Sequence, residues 1–504
     1  MGDKDLRLIE RARKHQERIA IIAREGMFTY GQLLEFSAGA ASILLDGIND
    51  LKETRVAFLT WPGFYYVAIQ WGIWRAGGVA VPLSPLHPIP ELDYFITNCG
   101  AKIVVTHPDF KDILQPIAKA RDLRLLTTDI VNGAQSRLPK ISMERRAMIL
   151  YTSGTTSKPK GVVITHRNIQ AQVESLVSAW GWMAEDHILN VLPLHHVHGI
   201  INVLTCAMWV GAVCEILPRF EANEVWKRFV NNNITLFMAV PTIYEKLIKA
   251  WEDAPVEEKK LMSDACRRMR LMVSGSAALP VATLEKWKFI SGHVLLERYG
   301  MTEIGMALSN ALHGERVPGY VGTALPNVEV RLVDENGNPV KDGEPGEIQV
   351  KGPTVFLEYW NNPGATKEVF RDGWFSTGDI AVKENGIYRI LGRNTIDIIK
   401  TGGYKVSALE IEEALRGHPK VKECAVVGVQ DSEWGEKVCA ALILKEKTGL
   451  TFDSFRLWAI ERLAPYKVPK EILLVDDLPR NTLGKVVKPE VARLFKNQRE
   501  IENH

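Results

Sequence analysis

The segment Tyr151-Thr152-Ser153-Gly154-Thr155-Thr156-Ser157-Lys158-Pro159-Lys160-Gly161-Val162 follows directly on the apolar run Ala147 to Thr152. The run reads as a buried strand, and the loop after it collects hydroxyls, glycines and lysines. Glycines let backbone N–H groups approach an anion, hydroxyls donate to its oxygens, and lysine adds charge. The spacing GxxxxGK[ST] of a Walker A loop is not met. Thr152, Ser153, Gly154, Thr155, Thr156 and Lys160 are therefore candidate polyphosphate-binding residues in a loop of another kind. A strand that ends in such a loop belongs to an α/β sheet, which binds ligands beyond the carboxyl ends of its strands.

Outward from this loop, short apolar runs alternate with longer amphipathic ones. Arg55 to Thr60, Gly78 to Pro82, Lys102 to Thr106, Ile188 to Leu192, Ile234 to Val240 and Arg270 to Val273 read as strands. Tyr66 to Ala76 and Arg167 to Trp182 read as helices. The alternation predicts βαβ units and largely parallel sheets covered on both faces. Beyond Pro318 the texture changes. Glu329 to Val333, Glu347 to Lys351 and Tyr388 to Leu391 are short strands separated by turns such as Glu335-Asn336-Gly337-Asn338, which predicts a barrel-like subregion at 318–393. Ser407-Ala408-Leu409-Glu410 reads as a capping box, with Ser407 capping a helix and Glu410 reaching back. Ala408, Ile411 and Leu415 share a face of that helix, and Gly417 can stop it. Strands at Glu423 to Val429 and Lys437 to Leu444 and a helix at Phe452 to Leu463 follow. The expected architecture is α/β: a large N-terminal lobe, 1–394, of parallel-rich sheets, and a small α+β C-terminal domain, 395–504, on a hinge.

Composition narrows the partners. There are 62 Lys and Arg against 60 Asp and Glu, a net charge of +2 that gives no support for a nucleic-acid partner. Cys99, Cys206, Cys214, Cys266, Cys424 and Cys439 lack CxxC spacing and read as core residues in a reducing compartment. A charged start and the lack of any 18-residue apolar run predict a cytoplasmic protein with no membrane span, an organelle being left open. The expected partners are small molecules, and the expected assembly is a monomer or homodimer.

Further segments carry chemistry of their own. Ser274-Gly275-Ser276-Ala277-Ala278-Leu279-Pro280, Tyr299-Gly300-Met301-Thr302-Glu303, Ser376-Thr377-Gly378-Asp379, Gly392-Arg393 and Pro479-Arg480-Asn481-Thr482-Leu483-Gly484-Lys485 recur in order after the first loop. Glu303 offers a hard oxygen ligand for Mg²⁺. Asp379 can accept from a ribose diol. Leu192-Pro193-Leu194-His195-His196-Val197-His198-Gly199 holds three histidines without the spacing of a zinc site. Taken in register, the six motifs resemble the adenylate-forming superfamily of acyl-CoA synthetases, luciferases and peptide-synthetase adenylation domains.

The resemblance implies an acid:CoA ligase that uses ATP, Mg²⁺ and coenzyme A and passes through an acyl-adenylate. It implies that Ser274, Gly275, Ser276 and Ala277 pack on adenine, and that Glu297, Arg298, Tyr299, Gly300 and Met301 border the nucleotide. Thr302 would bond a phosphate or acyl oxygen, Glu303 would hold the metal, and Asp379 and Arg393 would hold the ribose. Lys485 would reach between carboxylate and α-phosphate, a role that the neighbouring Lys488 does not share in the family pattern. His196 would gate the path between acyl pocket and thiol tunnel. Gly402 and Gly403 would let a pantetheine chain pass the backbone. Thr395 departs from the Asp or Lys that many relatives carry at the hinge.

Among these enzymes, Leu192 to Gly199, Leu271 to Pro280 with Leu296 to Glu303, and Ile398 to Glu410 resemble malonyl-CoA synthetases most closely. The acyl pocket implied lies near Val240 to Leu247, Ser274 to Ala277 and Arg298 to Met306. Arg298 beside an apolar pocket is expensive to bury unpaired, and a second carboxylate on the substrate would pair with it. Lys246 stands where the subfamily supplies a second cation, and Ser274 and Met306 would line the pocket. The expected acid is malonate or methylmalonate. An internal ion pair of Arg298 with Glu297 or Glu303 would point instead to a monocarboxylic acid. A non-catalytic nucleotide-binding protein is the remaining alternative.

Overall fold

The computed structural model describes residues 6–134, 136–152, 159–394, 396–401, 404–431, 434–446, 450–481 and 484–502. Ser153, Gly154, Thr155, Thr156, Thr395, Gly402 and Gly403, singled out above, lie outside the described residues.

Two large sheets organise residues up to about Tyr359. One has nine strands, with Leu296–Met301, Leu271–Ser274, Leu236–Ala239, His187–Asn190, Val213–Ile216 and Ile19–Ala23 running parallel side by side. Both of its edges are antiparallel, through Gly305–Ser309 at one end and Gly26–Thr29 at the other. The second sheet has seven strands, in the order Glu358–Tyr359, Lys160–Thr165, Arg146–Thr152, Val79–Pro82, Arg55–Leu59, Ile103–Thr106 and Arg124–Thr127. The parallel strands are apolar throughout (RVAFL, VAVP, IVVT) because helices cover both faces. The phosphate-loop candidate is not a strand-to-helix turn. It joins Arg146–Thr152 to the antiparallel Lys160–Thr165 as a hairpin, with Thr152 opposite Lys160.

Glu329–Val333, Gly346–Lys351, Trp374–Glu384, Phe370–Arg371 and Ile387–Arg393 form a five-stranded antiparallel sheet. Its pairings do not close into a ring, so the barrel-like subregion is a half-barrel. A further sheet pairs Val421–Asp431 with Gly435–Leu444 along ten positions. Alternate residues of Val421–Asp431 point to opposite faces. Cys424 and Val426 join a core under the helices Ala408–Arg416 and Phe452–Ile460, whereas Ala425, Val427 and Val429 join one under Lys488–Glu502. Neither of these cores takes a residue before Ile399, and the cores of the larger sheets take none after Ile390.

Ser407 caps the helix Ala408–Arg416 by accepting from the Glu410 N–H at 3.2 Å. The expected return bond from Glu410 does not form, because its carboxylate takes the Lys467 ammonium at 2.6 Å. Gly417 ends the helix in a right-handed conformation, without the left-handed cap. Among the described residues no helix is long and apolar enough to cross a membrane.

Candidate active site

The carboxyl end of Leu271–Ser274 runs into Gly275 and Ser276, and the neighbouring strand Leu296–Met301 places Glu297 beside Ser274. Arg298 comes from that second strand, is 4% exposed, and lies across Gly275. A Cβ on Gly275 would meet the guanidinium at 2.5 Å, so no other residue fits there without moving the arginine. Ser276 adopts φ +69°, an unusual conformation for a residue with a side chain. That conformation places its Oγ between Arg298 Nη2 and His198 Nδ1, each at 3.3 Å.

No carboxylate among the described residues pairs with Arg298. Glu297 accepts instead from the Gly319 N–H at 3.0 Å, and Glu303 from the Tyr359 hydroxyl at 2.9 Å. The Nε of Arg298 is buried without a partner, as are Ser274 Oγ, His196 Nε2 and His198 Nε2. Four orphaned polar atoms, one of them on a buried guanidinium, are costly unless something satisfies them. Burial alone pulls the Arg298 pKa down, yet the group remains cationic at neutral pH.

Glu303 sits in the turn between Leu296–Met301 and Gly305–Ser309 and is 5% exposed, where a solvated carboxylate would be the ordinary expectation. The turn is tight: a Cβ on Gly300 would strike the Gly305 carbonyl at 2.1 Å. Thr302 is part of the same turn and is half-buried. Burial raises the Glu303 pKa, while Tyr359, Arg393 and Lys160 oppose that rise. Lys160 stands 5.0 Å from the ring of Tyr359, whose hydroxyl reaches Glu303. No group of three His, Cys, Asp or Glu forms a metal cage among the described residues. A lone buried carboxylate next to a phosphate loop fits Mg²⁺ held mainly by substrate oxygens.

Asp379, on Trp374–Glu384, accepts from the Tyr299 hydroxyl at 2.5 Å and pairs with Arg393 Nε at 3.2 Å. Burial raises its pKa, which Arg393 and Tyr299 partly counter. Lys485 enters from the small lobe. It is open to solvent within the cleft, yet enough protein surrounds its ammonium for desolvation to lower its pKa. Arg298 and Arg393 lower it further and Asp379 raises it, so these three side chains are its electrostatic neighbours. His196 feels the same lysine. Burial first and Lys485 next push its pKa down to about 4, which keeps the imidazole neutral. Its ring lies 4.3 Å from that of His195, which in turn faces His87 at 5.3 Å.

The fold thus brings Ser274, Gly275, Ser276, Glu297, Arg298, Tyr299, Glu303, Asp379, Arg393, His196 and Lys485 around one cleft. Met306 is fully buried opposite Gly300, whereas Ala277 is exposed and Met301 half-buried. Lys246 is exposed on Pro241–Asp253, 5.9 Å from the Phe220 ring, and no described bond joins it to Arg298. Sequence reasoning did not single out Tyr359 or Ser276 with His198 as a pair. Tyr359 lies in a two-residue strand with no pattern of its own, and the pair forms only through the π-helix His198–Thr205.

The chain belongs to the AMP-binding enzyme family, whose model matches residues 8–360, with the family's C-terminal domain matching 410–485. Among particular relatives, the mitochondrial malonate–CoA ligase ACSF3 of Mus musculus is 47% identical, covering 96% of this chain and 89% of that protein. The crystal structure of ATP-bound MatB from Rhodopseudomonas palustris matches with a TM-score of 0.90 at 34% identity, over 98% of this chain and 99% of that one. A malonyl-CoA ligase ternary product complex with methylmalonyl-CoA and AMP matches with a TM-score of 0.68, also at 34% identity, over 92% and 97%.

Proposed function

We propose that the chain is an ATP-dependent, AMP-forming acid–CoA ligase whose acid is malonate or methylmalonate. The observation that carries the choice of acid is Arg298, a buried guanidinium with no counter-ion among the described residues, seated on Gly275 beside Ser276 and His198. A dicarboxylate supplies the missing anion with its distal group and leaves the other carboxylate to react. The relatives named malonate–CoA ligases support the same acid and support CoA as the acceptor.

Adenylation brings a carboxylate to the α-phosphate of ATP, so two anions must meet while charge grows on the transferring group. Lys485, Arg393 and Arg298 offset that repulsion from fixed positions. Lys485 bridges the reacting carboxylate and the α-phosphate. Asp379, oriented by Tyr299, accepts from the ribose. Glu303 would hold Mg²⁺, which when bound neutralises phosphate charge. Thr152, Lys160 and the loop between them hold the triphosphate. The acyl-adenylate and pyrophosphate result. In the second step the CoA thiol attacks the acyl carbonyl and AMP leaves. Neutral His196, which feels the charge of Lys485, gates the approach of the thiol. The small lobe, 395–504, swings as a unit between the two steps. Matching the ATP-bound relative far better than the product-bound one, at equal identity, supports reading this arrangement as the one for adenylation.

The test is pyrophosphate release over an acid panel of malonate, methylmalonate, propionate, octanoate and benzoate. Malonate or methylmalonate should be preferred. Arg298→Ala should lower kcat/KM for the dicarboxylate by about 2–5 kcal/mol, a factor of at least about thirty, with ATP binding little changed. Equal losses on dicarboxylates and monocarboxylates would assign Arg298 to the fold and sink this choice of acid.

A further inference from the structure

Beyond the cleft, the two lobes meet at the amino end of the helix Val281–Ser291. The first N–H groups of a helix have no partner within it and need one from outside. Pro280 precedes this helix, makes no side-chain cap, and no acidic residue stands in the first turn. The bond arrives from the other lobe: the Val281 N–H donates to Glu413 Oε1 at 3.2 Å. Glu413 lies on the small-lobe helix Ala408–Arg416, and Arg416 holds its second oxygen at 3.1 Å. A carboxylate at this place also matches the helix dipole.

The same contact leads to the catalytic loop. Glu245, on the large-lobe helix Pro241–Asp253, accepts from Thr283 Oγ1 at 3.4 Å and faces Glu423 together with Arg416 and Arg480 of the small lobe. Arg480 pairs with Glu423 and donates to the Gly484 carbonyl at 2.9 Å, one residue before Lys485. The Lys485 N–H donates to Asn481 Oδ1 at 3.0 Å. On the large-lobe side, Val281 closes the segment that begins with Ser274, Gly275 and Ser276, the shelf under Arg298.

We propose that Glu413 is a positioning residue for adenylation: its carboxylate latches the small lobe onto the open amino end of Val281–Ser291 and so holds the Lys485 loop in the cleft. The inference rests on reading the chain as a two-step ligase. Moving the small lobe away for thioester formation breaks this bond, so the latch assists only the first step.

The experiment measures each half-reaction on the full chain. Adenylation is read by malonate-dependent exchange of pyrophosphate into ATP, and thioester formation by single turnover of preformed malonyl-adenylate with CoA. Glu413→Ala should slow exchange roughly tenfold, the loss of one charge-assisted bond, without slowing thioester formation. Glu413→Gln keeps an acceptor and should retain most of the exchange. Val281→Pro removes the donor instead. Proline suits the first position of a helix, and Pro280 is already extended, so the substitution needs no backbone change. It should reproduce the Glu413→Ala effect, and the double variant should be no slower than either single one. Unchanged exchange, equal losses in both half-reactions with a lowered melting temperature, or additive losses would each overturn the latch. A wild-type chain that never exchanges would reject the ligase reading instead. Closure is then still read by small-angle scattering with ATP, where the wild type should be more compact than Glu413→Ala and identical profiles would reject the latch.

Discussion

At the scale of single residues, Arg298 is a buried cation to which no carboxylate among the described residues is paired. Lys485 shows the consequence for pH. Burial, Arg298 and Arg393 all favour its neutral form, and Asp379 alone opposes them. A lysine whose pKa is lowered loses its proton earlier as pH rises. Bound phosphates reverse the sign, because they favour the ammonium. The alkaline fall of kcat/KM, which reports the free enzyme, should therefore lie at lower pH than the alkaline fall of kcat, which reports the complex. Lys485→Gln should abolish that limb along with most of the activity. Coincident limbs in the two profiles would place the lysine away from the nucleotide. Arg298 was legible in the sequence as a cation in want of a partner. Its support by Gly275, Ser276 and His198 was not, because those residues come from separate elements and their contacts depend on a left-handed serine that no pattern announces.

At the scale of elements, the buried strands were the readable part. Arg55–Leu59, Ile103–Thr106 and Glu329–Val333 lie where their apolar or alternating runs placed them, because a strand covered on both faces must be apolar throughout. The antiparallel edge strands Gly26–Thr29 and Glu358–Tyr359 were missed, being only four and two residues long. The capping box was half right, since Glu410 had a lysine within reach that lies far along the chain. Long-range charge pairing is what sequence spacing cannot show, and Lys488 is the clearest example. Its ammonium is buried between Asp397 at 2.6 Å and Glu412 at 2.8 Å, and Asp397 also accepts from the Arg393 N–H at 3.0 Å. These contacts tie the chain just after the half-barrel to two small-lobe helices. Lys488→Met would strip the buried Asp397 of its cation and leave Glu412 with Arg416 alone at 3.5 Å, at a cost of about 3–5 kcal/mol. Thermal unfolding followed by hydrogen exchange should show this loss in residues 398–502 and little change in the large sheets. A uniform loss across both lobes would mean that they unfold as one unit.

At the scale of the whole molecule, the separate cores of the two lobes make a rigid displacement inexpensive, because it would divide no apolar core of the described residues. Lys485 meets Arg298, Arg393, Asp379 and His196 only through this placement of the lobes. Its contribution must then belong to the step carried out in this arrangement. Lys485→Ala should abolish malonate-dependent pyrophosphate exchange, by several hundredfold or more if the lysine supplies about 3–4 kcal/mol to the transition state. The same variant, given preformed malonyl-adenylate, should transfer the acyl group to CoA at close to the wild-type rate. His196, on the large lobe, stays at the cleft in either arrangement, so His196→Ala should slow the second step and spare exchange by comparison. Parallel losses in both half-reactions for Lys485→Ala would show that the lysine stays in the cleft throughout, and that one fixed arrangement of the lobes performs both steps.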